Sequence, residues 1–190
     1  MQLLEERIRR EGKIRPGGIL KVDSFLNHQI DPILVFQMAE EIKRLFGDEG
    51  VNKILTIEAS GIALASMTAY LFSVPLVFAK KSKSKNISDE VYAVEIPSFT
   101  HGNTNTVVVS REYLHPGDRV LLIDDFLATG AALVGLKALV EMAGGTVVGA
   151  AVAVEKDFQG GGNRLRAEGL RIESLARIAS MTDEGEITFC

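Results

Sequence analysis

The chain has 190 residues, a length that suits one domain and is ample for a hydrophobic core. Its composition, 46% hydrophobic and 24% charged, is that of a globular protein and excludes a disordered or fibrous chain. With 25 acidic against 21 basic side chains the formal charge is −4, so no overall basic field points to nucleic acid or an anionic membrane, and any anion site has to be local.

The first residues, MQLLEERIRREGK, are charged and amphipathic, without the apolar centre of a signal peptide. No apolar run reaches the roughly 20 residues of a membrane span, and a cytoplasmic protein is expected. Short apolar pieces, GGILKV near the start and RIESLARI and EITF near the end, suggest that residues 1–30 and 158–190 pack together as a smaller hood. Between them lies a core of residues 31–157 in the same single domain. There KILTIE (Lys53 to Glu58) reads as a strand, Ile62 to Phe72 as a helix and PLVFA (Pro75 to Ala79) as a second strand. The rhythm breaks from Lys80 to Ser110, where KKSKSKN reads as a charged, flexible loop and EVYAVEIPSFT with NTVVVS as an inserted β-hairpin. It resumes with RVLLIDD (Arg119 to Asp125), a helix from Ala131 to Met142 closed by Gly144-Gly145, and TVVGAAVAVE (Thr146 to Glu155). Continuous β-branched runs suit strands covered on both faces, so the fold class is α/β, a parallel sheet flanked by helices. The cluster Gly160-Gly161-Gly162 reads as a turn. Cys190 is the sole cysteine, which rules out an internal disulfide, and His28, His101 and His115 lack the spacing of a helical zinc site. No metal site made of protein side chains is expected.

The chemistry concentrates in RVLLIDDFLATGAAL, Arg119 to Leu133. Ligands of open α/β sheets gather at the carboxyl ends of the strands, and this strand delivers Asp124 and Asp125 there. The following Ala128-Thr129-Gly130-Ala131-Ala132 is small and glycine-containing, so backbone N–H groups at a helix start can approach a phosphate closely, with the Thr129 hydroxyl as a further donor. Carboxylates repel phosphate but accept from sugar hydroxyls. Acids for a diol beside a loop for a phosphate describe a site for a phosphorylated ribose. Taken singly, the acids could as well cap a helix and Gly130 turn the chain.

In combination, an apolar strand, two acids, a short spacer, Thr-Gly and a helix resemble the phosphoribosyl pyrophosphate (PRPP) signature of the type I phosphoribosyltransferases. No Walker-type loop or GxGxxG competes with it. The likeness runs along most of the chain: KVDSFLNHQIDP, TIEASGIALA, VEKDFQ and IESLARI are similar to the bacterial xanthine phosphoribosyltransferases. This resemblance implies a purine salvage reaction, transfer of ribose 5-phosphate from PRPP to xanthine to give xanthosine 5′-phosphate (XMP) and pyrophosphate.

The resemblance also implies the remaining site. Asp124 and Asp125 become catalytic, with Asp125 the candidate proton acceptor, and Ala128 to Ala132 bind the phosphoribose. Glu58-Ala59-Ser60-Gly61, which follows the first core strand and opens a helix, becomes the pyrophosphate loop through Ala59, Ser60 and Gly61. Lys80, Lys81, Lys83 and Lys85 read alone as a solvated run. In the family, basic residues here reach pyrophosphate, sometimes across a dimer interface, so Lys80 or Lys81 is expected to do so while the adjoining loop closes over the site. Leu20, Asn27 and Lys156 are placed around xanthine, where an Asn amide and a Lys ammonium suit its oxo groups. Mg²⁺ is expected to arrive with the pyrophosphate, held mainly by substrate oxygens and water, and the protein is expected to be a homodimer. Two rival readings stay open: a phosphoribosyltransferase for guanine, hypoxanthine or adenine, and a non-catalytic PRPP-sensing regulator. The second would need a DNA-binding module, for which the segment before Lys21 looks too short.

Overall fold

Helix α1 (Gln2–Glu11) leads into a small antiparallel hairpin of β1 (Lys13–Arg15) and β2 (Ile19–Lys21), then a π-helical turn at Asp23–Asn27. Helix α2 (Pro32–Phe46) has no counterpart among the elements expected above. Its start is nonetheless written locally: the Asp31 carboxylate accepts from the N–H groups of Ile33 and Leu34 at 3.1 and 3.2 Å, and Pro32 occupies the first helical position. A strand-helix-strand unit follows, β3 (Lys53–Ile57), α3 (Gly61–Phe72) and β4 (Leu76–Lys81), and then the expected hairpin of β5 (Val91–Pro97) and β6 (Thr104–Ser110). The second unit is β7 (Arg119–Leu127), α4 (Ala131–Met142) and β8 (Thr146–Lys156). A 3₁₀ turn at Asp157–Gln159, helix α5 (Gly161–Ala167), β9 (Ile172–Met181) and β10 (Ile187–Phe189) follow. This computed structural model describes residues 1–81, 90–97, 104–182 and 184–190; Lys83 and Lys85 lie outside them.

Among the described residues eight strands form one sheet in the order β10-β9-β8-β7-β3-β4-β6-β5. The central five run parallel, and β10, β6 and β5 are antiparallel additions at the edges. Both faces are covered, which is why the central strands read as continuous apolar runs: every residue of β3 is buried, as are Val120 to Asp124 of β7. One face packs against α1, α2 and α3 through side chains such as Ile8, Met38 and Phe46. The other packs against α4 and α5 through Leu133, Leu136 and Leu165. The chain ends share this sheet: β9 continues its parallel order beside β8, α1 packs in the same core as Leu175 and Ile178, and Arg9 lies over the Phe189 ring at 4.7 Å. No described helix is long and apolar enough to cross a membrane.

What positions the site is the order of the strands. β3 and β7 are neighbours, yet β3 connects through α3 to β4 on one side and β7 through α4 to β8 on the other. The two connections part company above this strand pair, and a crevice opens at its carboxyl end.

Candidate active site

Strand β7 carries its apolar run to the crevice and ends it with two acids. Asp124 is 5% exposed, and its Oδ1 accepts the backbone N–H of Asp125 at 3.0 Å. Burial, reinforced by the neighbouring charge of Asp125, pushes the Asp124 carboxyl well above the usual aspartate range, while the Lys81 charge pulls the other way. Beyond the acids the chain turns at Gly130, whose φ of +84° is a left-handed conformation that glycine adopts without strain. No side chain caps α4, so its first-turn N–H groups and the positive end of its dipole remain available at the cleft that Ala128 to Leu133 line.

The neighbouring strand offers a second set of donors. β3 passes into Glu58-Ala59-Ser60, and α3 starts at Gly61, again without a side-chain cap. Glu58 Oε1 accepts the Lys81 backbone N–H at 2.6 Å, which ties this loop to the end of β4. Gly61 is required by space: a Cβ there would lie 2.3 Å from Thr56 Oγ1 and 3.4 Å from Asp124 Oδ1. The first loop thus sits directly against the acid of the second.

Both loops line one cleft of about 290 Å³, together with Lys81, Phe126 and the hairpin residues Ile96, Pro97 and Asn105. The hairpin is held there by α4, where a Cβ on Gly135 would meet Ile96 Cδ1 at 2.2 Å. Phe126 and the hairpin side chains were not among the expected site residues; Phe126 reads in sequence as one more core position.

Lys80 and Lys81 part ways. Side chains alternate along a strand, and at the end of β4 this leaves Lys81 on the cleft. Lys80 lines a separate cavity of about 620 Å³ with Lys53, Phe78 and His115, its Nζ 5.9 Å from the Phe78 ring centre.

The three residues expected around a base lie outside the lining of the donor cleft. Leu20 is 6% exposed and packs in the core with α1 and α2. Asn27 ends the π-helical turn with its amide Oδ1 buried and without a hydrogen-bond partner. Lys156 is half-buried at the end of β8; its Nζ donates to the Gly18 carbonyl at 2.9 Å, and burial pushes its ammonium below the ordinary lysine value. The same Nζ is 5.7 Å from the centre of the Phe126 ring, so Phe126 joins this second group to the cleft.

Two uncapped helix starts around a carboxylate pair, at the point where an α/β sheet changes direction, have the geometry of a site for a ligand with two anionic groups. The phosphoribosyl transferase domain model matches residues 21–164. A xanthine phosphoribosyltransferase of Lachnoclostridium phytofermentans is 53% identical over 190 residues, covering 100% of this chain and 98% of its own. One from Macrococcus caseolyticus is 52% identical over 188 residues, covering 99% and 96%. The crystal structure of adenine phosphoribosyltransferase from Thermoanaerobacter pseudethanolicus is 26% identical with a TM-score of 0.73, covering 92% of this chain and 99% of that one. The chain belongs to the phosphoribosyl transferase family.

Proposed function

We propose that the protein converts xanthine and PRPP to XMP and pyrophosphate. The observation that carries this is the single cleft in which two uncapped helix starts flank Asp124 and Asp125. The full-length likeness to proteins named xanthine phosphoribosyltransferase supports the choice of base.

In this reading the N–H groups of Ala128 to Ala132 and the Thr129 hydroxyl hold the 5′-phosphate. Asp124 and Asp125 accept from the ribose diol and favour the positive charge that grows on the sugar as the bond from C1 to pyrophosphate breaks and that from C1 to the base nitrogen forms. Ala59, Ser60, Gly61 and Lys81 receive the departing anion. Asp125, the more accessible acid, is the candidate acceptor for a proton released by the base. Lys156 and Asn27 orient xanthine, and Leu20 packs beneath the segment that carries Asn27. The donor half belongs to a core of about residues 31–157, and the base half draws on residues 1–30 and 158–190 of the same domain.

Among the described residues no three His, Cys, Asp or Glu side chains gather as a metal cage. The acid pair alone offers few oxygens, a donor set that fits a Mg²⁺ ion arriving with its substrate: Asp124 and Asp125 would face it from the protein, and substrate oxygens and water would supply the rest. When bound, such an ion would supply charge neutralisation at the leaving pyrophosphate. A homodimer is supported by α3, which contains no charged residue yet exposes Tyr70 at 74%. A second copy over this face would leave Lys80, turned from its own cleft, to serve the partner's. PRPP and XMP are intracellular anions, and a cytoplasmic location goes with this reading.

Pyrophosphate release measured in parallel with xanthine, guanine, hypoxanthine and adenine tests the reading. Xanthine is expected to be turned over with the highest kcat/KM, and a preference for adenine overturns the assignment. An Asp125→Asn variant with near-normal turnover would remove the proton-acceptor role.

A further inference from the structure

The triple glycine Gly160-Gly161-Gly162 plays no part in the reading above, and a turn accounts for just its first member. Gly160 has a φ of +74°, and a side chain there would meet open space. Gly161 and Gly162 are buried at the start of α5. A Cβ on Gly161 would lie 2.3 Å from both the Ala128 carbonyl oxygen and the Thr129 carbonyl carbon, backbone that cannot yield cheaply. A Cβ on Gly162 would lie 1.9 Å from Glu155 Oε1, on the buried ion pair that Glu155 makes with Arg166.

Two more contacts extend the arrangement. A Cβ on Gly130 would meet Leu165 Cδ1 at 2.7 Å, and Arg164 Nη2 donates to the Thr129 carbonyl at 3.2 Å. Ala128, Thr129 and Gly130 are therefore each backed by a residue of α5. Elsewhere on α5, Arg166 grips both oxygens of Glu155 at 2.8 and 2.6 Å and Asn163 Nδ2 donates to Asp157 Oδ1 at 3.1 Å, an oxygen that Arg177 of β9 also holds at 2.5 Å. Glu155 and Asp157 flank Lys156, whose own side chain turns to Gly18 and Phe126.

The direction of the loop carbonyls carries the argument. A trans peptide is planar, with its C=O and N–H pointing opposite ways. The Ala128 and Thr129 oxygens lie against α5, so the N–H groups of Thr129 and Gly130 point away from it, on the side where both residues line the cleft. Holding the carbonyls aims the donors.

We propose that α5 braces the two halves of the site and that Arg164 is a positioning residue for the 5′-phosphate, acting through the Thr129 carbonyl. This rests on the phosphoribosyltransferase reading. Arg164 is the member whose loss leaves the fold in place. Its side chain is 51% exposed, and its pair with Glu168 at 2.9 Å is a surface i,i+4 contact of small worth.

Steady-state kinetics of the full chain, with both substrates varied, compares wild type, Arg164→Ala, Arg164→Lys and Glu168→Ala. Arg164→Ala is expected to raise the KM for PRPP about tenfold, the value of one charge-assisted hydrogen bond, with the KM for xanthine and the thermal midpoint unchanged. Arg164→Lys recovers part of that loss, and Glu168→Ala causes none. A PRPP KM in Arg164→Ala within roughly twofold of wild type overturns the brace. So does a Glu168→Ala variant that reproduces the rise, because helix stability would then be the agent. If wild type releases no pyrophosphate with any purine, the functional reading fails instead. Calorimetric binding of ribose 5-phosphate then still decides: weaker binding by Arg164→Ala supports the brace, and equal binding overturns it.

Discussion

Asp124 accepts a hydrogen bond from the backbone N–H of Asp125 at 3.0 Å while its carboxyl is almost entirely withdrawn from water. Two adjacent acids, one buried, are held at a cost that the free protein bears and that a ribose bound as proposed would relieve. A carboxyl whose folded pKa is raised contributes full stability below its ordinary value of about 3.9 and loses it as pH rises through the elevated folded value.

An Asp124→Asn variant should therefore be more stable than wild type at neutral pH without ligand, the difference fading in acid. For a chain of this size each ~1 kcal/mol raises the thermal midpoint by roughly 2–4 °C. The same variant should lose about 10²-fold in kcat/KM through weakened stabilisation of the cationic sugar. Thermal scans at two pH values and pyrophosphate-release kinetics check both halves; an unstabilised but inactive variant would refute the cost assigned to burial.

Lys156→Met separates the base half from the donor half. The lysine's folded pKa is lowered, so its contribution is full above the ordinary lysine value of about 10.4 and lost as pH falls through the folded one. At neutral pH the charged form is penalised, and methionine should keep or raise the melting temperature. The KM for xanthine should rise about tenfold for the lost donor while that for PRPP holds. A parallel rise in both would show that the lysine serves the whole cleft.

The two adjacent lysines should also separate. Lys81→Ala is expected to raise the KM for PRPP about tenfold or more, since charge-assisted contacts to phosphate are among the stronger ones. Lys80→Ala should match it only in an assembled dimer. Mixing the inactive Asp124→Asn with Lys80→Ala chains would then restore activity in the mixed dimer, and absence of recovery would confine each site to its own chain.

Arg166→Met would take the bidentate partner from Glu155, which is fully buried, and leave it the Ser174 hydroxyl and Arg177 Nε at 3.5 Å. Burial pushes this carboxyl up, but the Arg166 fork and the Ser174 hydroxyl outweigh it and hold the pKa below the usual glutamate value. Its stabilising contribution is present above about pH 4.3 and lost as pH falls through the lowered folded value. Breaking such a pair should cost about 3–5 kcal/mol at neutral pH, read as a drop in denaturant midpoint. The gap to wild type should narrow in acid.

Much of this site was legible in sequence because its signals are local. The apolar run of β7, its two acids, the Thr-Gly turn and the glycines after α4 lie within thirty residues, and the doubly covered strand explains the absence of alternation. Helix α2 escaped because its first turns, Ile33 to Phe36, are wholly apolar and could equally form a strand; the Asp31-Pro32 start is the feature that distinguishes them. Phe126 escaped because β7 runs on past the covered part of the sheet, where a core-like residue becomes a cleft wall. The divergence of Lys80 and Lys81 depends on strand register, and the packing of Gly161 on Ala128 joins residues far apart in the chain. No local pattern encodes either.

The adjacency of β3 and β7 makes the sheet a measuring rule. Hydrogen-bonded strands stand about 4.8 Å apart, and each of these two carries one anion loop at its tip. If the proposed function holds, the separation of the phosphate and pyrophosphate sites would be set by this backbone spacing, which side-chain changes cannot stretch. A sugar bearing one phosphate would then engage a single end of that rule, and the core itself would screen donors by span before any base is chosen.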